Sequence, residues 1–264
     1  MLIDTHCHLD AAEFDGDRDG QVLEARGAGV GVIVIPAVAR SNFATVRDLA
    51  HRHPGGAYAL GIHPMAVDRA DDDDLRVLRE QVEASIGDPQ LVAIGEIGLD
   101  YFVPGLDRAR QMVFYREQLR LARDVDLPVL LHVRRSQDQI LAQLRRLGPR
   151  SGIAHAFNGS HQQAGEFLKL GYALGFGGAM TFPRALQIRR LVSDLPAEAH
   201  VLETDAPDIP PVWQAHDRNS PVQLARIADV FAALREQPPD QARAVTGANA
   251  LRVLPRLAGV IGDR

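Results

Sequence analysis

The amino-acid sequence predicts an α/β fold, a single (β/α)8 barrel of the TIM type spanning residues 1–264. Three observations predict it. Short apolar runs recur eight times, each followed by a polar loop and a helical pattern. The runs are nearly continuous in apolar residues, as expected of a parallel sheet covered by helices on its outside. Six of the eight runs end in histidine or carboxylate, and in such a barrel all strands end on one face, where active sites are built. An open doubly wound sheet is the alternative, but it usually has fewer strands and lacks this regular spread of polar strand ends.

The first run, 2–6, leads into His6-Cys7-His8. Side chains alternate along an extended chain, so His6 and His8 point one way and Cys7 the other. Two imidazoles aimed at one point suit a divalent cation, and Cys7 reads as a small buried hydrophobe. A helix is expected at 21–28, a strand at 30–35 and a helix at 42–52. The third strand, 57–62, ends in His63-Pro64, where His63 either caps the strand or faces a substrate. The acidic run 71–74 opens a helix at 73–86 and complements its dipole.

The fourth strand, 91–97, brings Glu96 to its end, with Asp100 as a supporting or turn residue before a helix at 108–124. Strand 128–132 ends in His132, and strand 152–156 carries His155. Helices at 137–147 and 161–170, a strand at 172–176 and a helix at 183–194 follow. The eighth strand, 200–204, runs into Glu203-Thr204-Asp205, and alternation turns Glu203 to the same face as Asp205. Helical stretches at 221–235 and 239–257 close the chain. His51, His53, His161, His200 and His216 fall outside the strand-end set and read as solvated or structural.

The chain is 46% hydrophobic and 24% charged, enough to bury a large core. No apolar run reaches membrane-spanning length, and neither a signal peptide nor a membrane partner is expected. Cys7 is the only cysteine, which excludes an internal disulfide and fits the cytoplasm. The formal net charge is −5, whereas a protein that holds nucleic acid by bulk charge would be basic. Any nucleic-acid contact must therefore be local. Basic charge is almost all arginine, Lys169 being the only lysine.

Four histidines (His6, His8, His132, His155) and two carboxylates (Glu96, Asp205) exceed what one ion needs. They suit two divalent ions sharing a carboxylate, with His6, His8, Glu96 and Asp205 around one and Glu96, His132 and His155 around the other. Mixed imidazole and carboxylate ligands admit Zn, Mn and, less comfortably, Mg. A carboxylated lysine cannot bridge the ions, because Lys169 falls on an expected helix. Glu96 is then the natural bridge.

These residues resemble the TatD family of metal-dependent deoxyribonucleases, within the amidohydrolase-type barrels, in the branch that keeps the N-terminal His-x-His. The resemblance rests on Asp4-Thr5-His6-Cys7-His8, Gly61-Ile62-His63-Pro64, Gly95-Glu96-Ile97-Gly98-Leu99-Asp100-Tyr101, Leu131-His132, His155-Ala156-Phe157-Asn158-Gly159-Ser160 and Leu202-Glu203-Thr204-Asp205-Ala206-Pro207. It implies a TIM barrel, two divalent metals and phosphodiester hydrolysis, with metal-ligand roles on His6, His8, Glu96, His132, His155 and Asp205. Two stretches depart from the family pattern. His216-Asp217-Arg218-Asn219-Ser220-Pro221 lacks the glutamate of an Asn-Glu-Pro-like segment, and Arg134-Arg135 replaces a single arginine or a more neutral loop. Both are expected where substrate is gripped.

The expected reaction is two-metal hydrolysis of phosphodiesters at DNA strand ends, with no stable protein partner inferred. Asp205 is the expected proton acceptor and Glu203 its reserve. His63 with Arg134 or Arg135 is expected at the phosphate. Tyr101, Phe102, Phe157 and Trp213 are candidates to stack on a terminal base. A metal-dependent hydrolase of lactones, amides or cyclic imides is the alternative, and a non-catalytic metal-binding or scaffolding protein a more distant one.

Overall fold

A computed structural model describes residues 1–262. Eight parallel strands follow one another in chain order around a barrel: β1 (Leu2–Asp4), β2 (Val30–Pro36), β3 (Gly56–Leu60), β4 (Leu91–Asp100), β5 (Val129–Arg134), β6 (Gly152–Ala154), β7 (Tyr172–Phe176) and β8 (His200–Leu202). The helices between them are α1 (Arg18–Gly27), α2 (Phe43–Arg52), α3 (Asp73–Ala84), α4 (Arg108–Asp124), α5 (Gln137–Leu147), α6 (His161–Lys169) and α7 (Leu186–Asp194). After β8 come α8 (Leu224–Leu234), α9 (Pro239–Val253) and α10 (Leu257–Gly262). The (β/α)8 barrel expected from the sequence is the fold observed. Among the described residues no helix is long and apolar enough to cross a membrane.

Period-two alternation sorts the strand residues onto two faces. Val32, Val34, Ala57, Ala59, Leu130, Ile153 and Val201 form a buried cluster within the barrel, continued by Val253, Leu254 and Leu257. The C-terminal helices thus plug the barrel end opposite the strand C-termini. Residues of the other parity, among them Ile33, Ile35, Tyr58 and Leu60, pack outward with Phe43, Phe114 and Phe231 of the helices.

The seam between β1 and β8 closes through side chains that no local pattern announces. Thr5 donates its backbone N–H to the Leu202 carbonyl at 3.1 Å. The Asp4 carboxylate accepts the Thr204 amide at 2.9 Å and the Thr204 hydroxyl at 2.6 Å. That buried clasp sits directly before the two ends that carry His6 and Asp205.

Helical ends differ from expectation where proline intervenes. The stretch expected as one helix over 239–257 breaks into α9 and α10, because Pro255 disfavours helical backbone at Leu254 (φ −123, ψ 72) and offers no N–H of its own. The stretch expected at 221–235 begins as a 3-10 turn, Pro221–Gln223, before α8. Likewise α7 begins at Leu186, the residues after Pro183 forming a bend.

His200 at the start of β8 is buried between the rings of Phe176 and Phe231. Burial, aided by Arg235, lowers its pKa from 6.5 to about 4. A histidine depressed in the folded state gives its full stability above the unfolded pKa near 6.5 and loses it as pH falls toward 4. The integrated loss is about 3 kcal/mol. His200→Leu, similar in volume, should reduce the fall in urea midpoint between pH 6.5 and 4. An unchanged slope would place the acid sensitivity elsewhere.

Candidate active site

A cleft of about 1950 Å³ opens at the C-terminal ends of the strands, lined from all eight strand-end loops. The residues expected to hold metal converge at its floor. The chain beyond β1 stays extended: Cys7 donates its N–H to the Val34 carbonyl and His8 to the Ala206 carbonyl. Cys7 is buried in the outer core, as alternation predicts. His6 and His8 turn the other way, their Nε2 atoms 3.3 Å apart.

Glu96 owes its position to an irregularity in β4. Ile94 lies opposite Val129 and Ile97 opposite Leu131, so β4 holds one extra residue across this stretch. A bulge of this kind re-aims a side chain, and here it directs Glu96 into the barrel mouth. Close packing of β4 on β5 then depends on Gly98 (φ +148), where a Cβ would stand 2.0 Å from the His132 carbonyl oxygen.

The two oxygens of Glu96 face different neighbours. Oε2 lies 3.1 Å from His6 Nε2 and 3.4 Å from His8 Nε2. Oε1 lies 2.9 Å from His132 Nδ1, 3.3 Å from His63 Nε2 and 3.4 Å from His155 Nε2. Asp205 Oδ1 completes the first side, 3.6 Å from His6 Nε2 and 3.8 Å from His8 Nε2. The His155 ring stacks on His6 with centroids 3.9 Å apart, so it stands between the two sides. Burial alone would push the Glu96 carboxyl up, but His63, His6, His155 and the His132 hydrogen bond hold it well below the ordinary carboxylate range. Burial raises Asp205 to about 6, with His155 and His8 pulling the other way.

Behind these groups stands a supporting layer. Asp100 Oδ2 accepts from His132 Nε2 at 3.0 Å, while Oδ1 accepts the amides of Phe102 and Val103. Asp100 is thus both the supporting and the turn residue expected. Glu203 is buried behind His155: Oε1 accepts the Ala156 amide and lies 3.2 Å from His155 Nδ1, somewhat off the line of an ideal hydrogen bond. Gly175 makes room for it, since a Cβ there would stand 2.1 Å from Glu203 Oε2. Glu203 does not line the main cleft. It lines a small cavity beside the cleft, together with Ala156 and Asp205.

At the rim, Arg134 and Arg135 line the cleft as expected. Both guanidinium groups lie on the Phe102 ring, 3.9 Å and 4.6 Å from its centroid. Of the four aromatic candidates only Phe102 lines this cleft. Tyr101 is part of the core margin with Arg108 over its ring, Phe157 is buried against Phe167, and Trp213 donates its N–H to Gln223. The strand ends at Asp100, and the turn that Asp100 caps sends Tyr101 away from the mouth.

In the 216–221 segment, expected where substrate is gripped, two side chains serve the protein itself. Buried Asn219 donates to the carbonyls of Thr204, Asp208 and Ile209, pinning the loop that carries Asp205. Arg218 pairs with Asp17. His51, His53 and His161 pair with Asp88, Asp19 and Asp194, and Lys169 lies on α6 against Glu166. Sequence reasoning missed Asp4 and Asn219, whose partners are distant in sequence or backbone carbonyls.

A model of the family of TatD-related deoxyribonucleases matches residues 3–255 of this chain. The chain belongs to the TatD family. The uncharacterized metal-dependent hydrolase YjjV of Escherichia coli (strain K12) is 42% identical over 241 residues, covering 91% of this chain and 92% of the relative. The 3'-5' ssDNA/RNA exonuclease TatD of Cronobacter sakazakii is 33% identical over 260 residues, covering 96% and 97%. The crystal structure of the E. coli YjjV protein superposes with a TM-score of 0.90 at 40% identity, covering 96% of this chain and 98% of that one. As a TatD-family protein, the chain is a metal-dependent hydrolase, and its barrel mouth carries His/Glu/Asp groups spaced to hold metal: His6-His8-Glu96, His6-His155-Asp205 and His63-Glu96-His132.

Proposed function

We propose that this TatD-family hydrolase cleaves phosphodiester bonds at the ends of DNA strands, with two divalent ions held about Glu96. The observation that carries the reading is the division of labour within that carboxylate, one oxygen for each set of imidazoles. The donor set fits metal. His6 Nε2 and His8 Nε2 approach to 3.3 Å beside the same carboxylate oxygen, so that three possible ligand atoms converge on one point. His6, His8 and Asp205 would hold one ion, His132 and His155 the other, with Glu96 between them. So many imidazoles favour Zn²⁺ or Mn²⁺ over Mg²⁺. Such ions supply Lewis acidity, polarising a phosphoryl oxygen and making water acidic enough to attack near neutral pH.

The chain's own groups do the rest. Asp205 faces the cleft beside His6 and His8, where its carboxylate can accept a proton from the attacking water. Arg134 and Arg135 offer charge to a phosphate, and the Phe102 ring, 44% exposed, offers a face for a base. Arg69, Arg134 and Arg135 line the cleft from the loops after β3 and β5, Asp10, Glu13 and Asp208 from those after β1 and β8, and Arg40 pairs with Asp74 between them. A strand arriving over the arginines meets carboxylates if it continues, which favours a strand end at the floor. A cleft of about 1950 Å³ also exceeds the roughly 300–1,000 Å³ usual for a small-molecule pocket. The lone, buried Cys7 fits a cytoplasmic setting.

The test is a panel of single- and double-stranded DNA, RNA, small esters and bis-(p-nitrophenyl) phosphate across several metals, with a chelator control. Phosphodiester turnover lost with chelator supports the reading, whereas turnover of lactones or amides alone would replace it. Strand-end binding should show a shallow salt dependence, about one to three phosphates in the log–log slope. Phe102→Ala should raise KM for oligonucleotides roughly tenfold, since stacking on one base is worth about 1–3 kcal/mol, and Arg135→Ala should raise it by removing charge offered to a phosphate. Neither should alter KM for bis-(p-nitrophenyl) phosphate, which is too small to reach the rim. Equal effects on both substrates, or efficient cutting of closed circular DNA, would show that the grip is misplaced.

A further inference from the structure

The imidazoles at the floor differ in what faces the nitrogen turned away from Glu96. A ligating imidazole must present a lone pair, so its other nitrogen must carry the proton. His132 meets this requirement. Its Nε2 lies 3.0 Å from Asp100 Oδ2, a carboxylate that only accepts, so Nε2 keeps its proton, and Nδ1, 2.9 Å from Glu96 Oε1, is the nitrogen that would give up its proton and present a lone pair to a cation. His155 has the nitrogens exchanged, Nδ1 3.2 Å from Glu203 Oε1 and Nε2 3.4 Å from Glu96 Oε1.

His63 is wired the opposite way. It is the N-cap of the 3-10 turn Pro64–Arg69, and its Nδ1 accepts the Met65 backbone N–H at 3.1 Å. An amide can only donate, so Nδ1 must be proton-free. The ring's one proton then sits on Nε2, the nitrogen that lies 3.3 Å from Glu96 Oε1 and 3.0 Å from His132 Nδ1. An imidazolium is excluded too, because it would set an N–H against the Met65 N–H. Distance alone groups His63 with Glu96 and His132 as a metal triad; the capping bond gives it the wrong tautomer for that task.

Resting on the phosphodiesterase reading above, we infer that His63 is not a metal ligand but a fixed N–H donor, whose Nε2–H binds a non-bridging oxygen of the scissile phosphate. Several observations fit. His63 lines the cleft, its side chain 10% exposed beside Glu96. Its partner across the ring, Met65 N–H, is backbone and does not change with substrate. Without substrate Nε2 lies 3.0 Å from His132 Nδ1 and 3.3 Å from Glu96 Oε1; an arriving anionic oxygen offers a stronger acceptor. A preorganised donor aimed at developing negative charge is the kind of group whose removal costs about 10²–10³ in kcat.

The experiment compares His63→Asn, His63→Gln and His132→Leu with the parent, all loaded with Zn²⁺. Asparagine can keep the cap through its own carbonyl but is too short to reach the phosphate. His63→Asn should retain the parent's metal equivalents and thermal midpoint while kcat on bis-(p-nitrophenyl) phosphate falls about 10²–10³-fold. Glutamine reaches further with an N–H donor and should recover part of that loss at full metal content. His132→Leu should lose metal. Independently, long-range ¹H–¹⁵N correlation of the Zn²⁺-loaded parent should show His63 with a proton on Nε2 and none on Nδ1. Loss of a metal equivalent in His63→Asn, or a His63 protonated on Nδ1 with Nε2 shifted by Zn²⁺, would overturn the assignment. If the parent has no phosphodiesterase activity, the metal count and the tautomer still decide whether His63 is a ligand, so the two readings fail separately.

Discussion

Glu96→Gln should abolish turnover and lower metal content on both sides of the site, not on one. Glu96 is almost fully buried, and its oxygens are divided between His6 with His8 and His132 with His155. Glutamine preserves the shape but makes one of the two positions an N–H₂ donor, which cannot serve a cation. It also removes the one negative charge common to both sets, leaving Asp205 as the nearest carboxylate to the His6–His8 side. Lewis-acid stabilisation is worth several kcal/mol, so a loss of about a thousandfold or more is expected. Metal analysis by mass spectrometry is the direct measurement. Two full equivalents with near-parental activity would end the shared-carboxylate reading. His161→Ala is the control, since His161 sits on α6 and pairs with Asp194 at 3.3 Å, and its metal content should not change.

What could be read from the sequence was whatever depends on periodicity and chain order. The fold was legible because eight apolar runs alternate with helices, and α4, α5 and β7 occupy the residues expected of them. The convergence of His6, His8, Glu96, His132, His155 and Asp205 was legible because a parallel barrel delivers every strand end to one face. Side-chain direction beyond a strand end was not. Tyr101 follows Glu96 by five residues, yet the turn capped by Asp100 carries it under Arg108 while its neighbour Phe102 lines the cleft. Long-range clasps were invisible for a different reason. Asp4 and Thr204 are 200 residues apart, and neither stands out in its own segment. Asn219 appeared to belong to a substrate-gripping stretch, but its amide serves three backbone carbonyls of the Asp205 loop. His63 shows the limit most sharply. Capping and facing a substrate are alternatives when judged from the sequence, and in the structure His63 does both: its Nδ1 accepts the Met65 N–H and its side chain lines the cleft.

The same tautomer logic makes Asp100→Asn a severe substitution despite being nearly isosteric. Oδ1 of Asp100 accepts two backbone amides, from Phe102 at 2.8 Å and Val103 at 2.9 Å. An asparagine must leave its carbonyl oxygen there, because its N–H₂ facing two N–H groups would leave three donors and no acceptor. The N–H₂ is then forced into the place of Oδ2, 3.0 Å from His132 Nε2. A donor at that point requires a lone pair on Nε2 and moves the ring proton to Nδ1, the nitrogen 2.9 Å from Glu96 Oε1. His132 would then show a proton where it should show a lone pair. Loss of a supporting partner usually costs 10–100-fold in metal affinity or activity, and here the substitution actively imposes the wrong tautomer, so the upper end of about 100-fold is expected for both. Asp100→Ala should be milder for metal, since water can take the vacated position and accept from Nε2, although the turn that carries Phe102 would lose its cap. Isothermal titration of the apo-protein with Zn²⁺ should resolve weakening confined to the His132 side, with the His6–His8 side near parental. Equal weakening of both, or a larger effect in Asp100→Ala than in Asp100→Asn, would mean that Asp100 acts through the turn and not through the His132 proton.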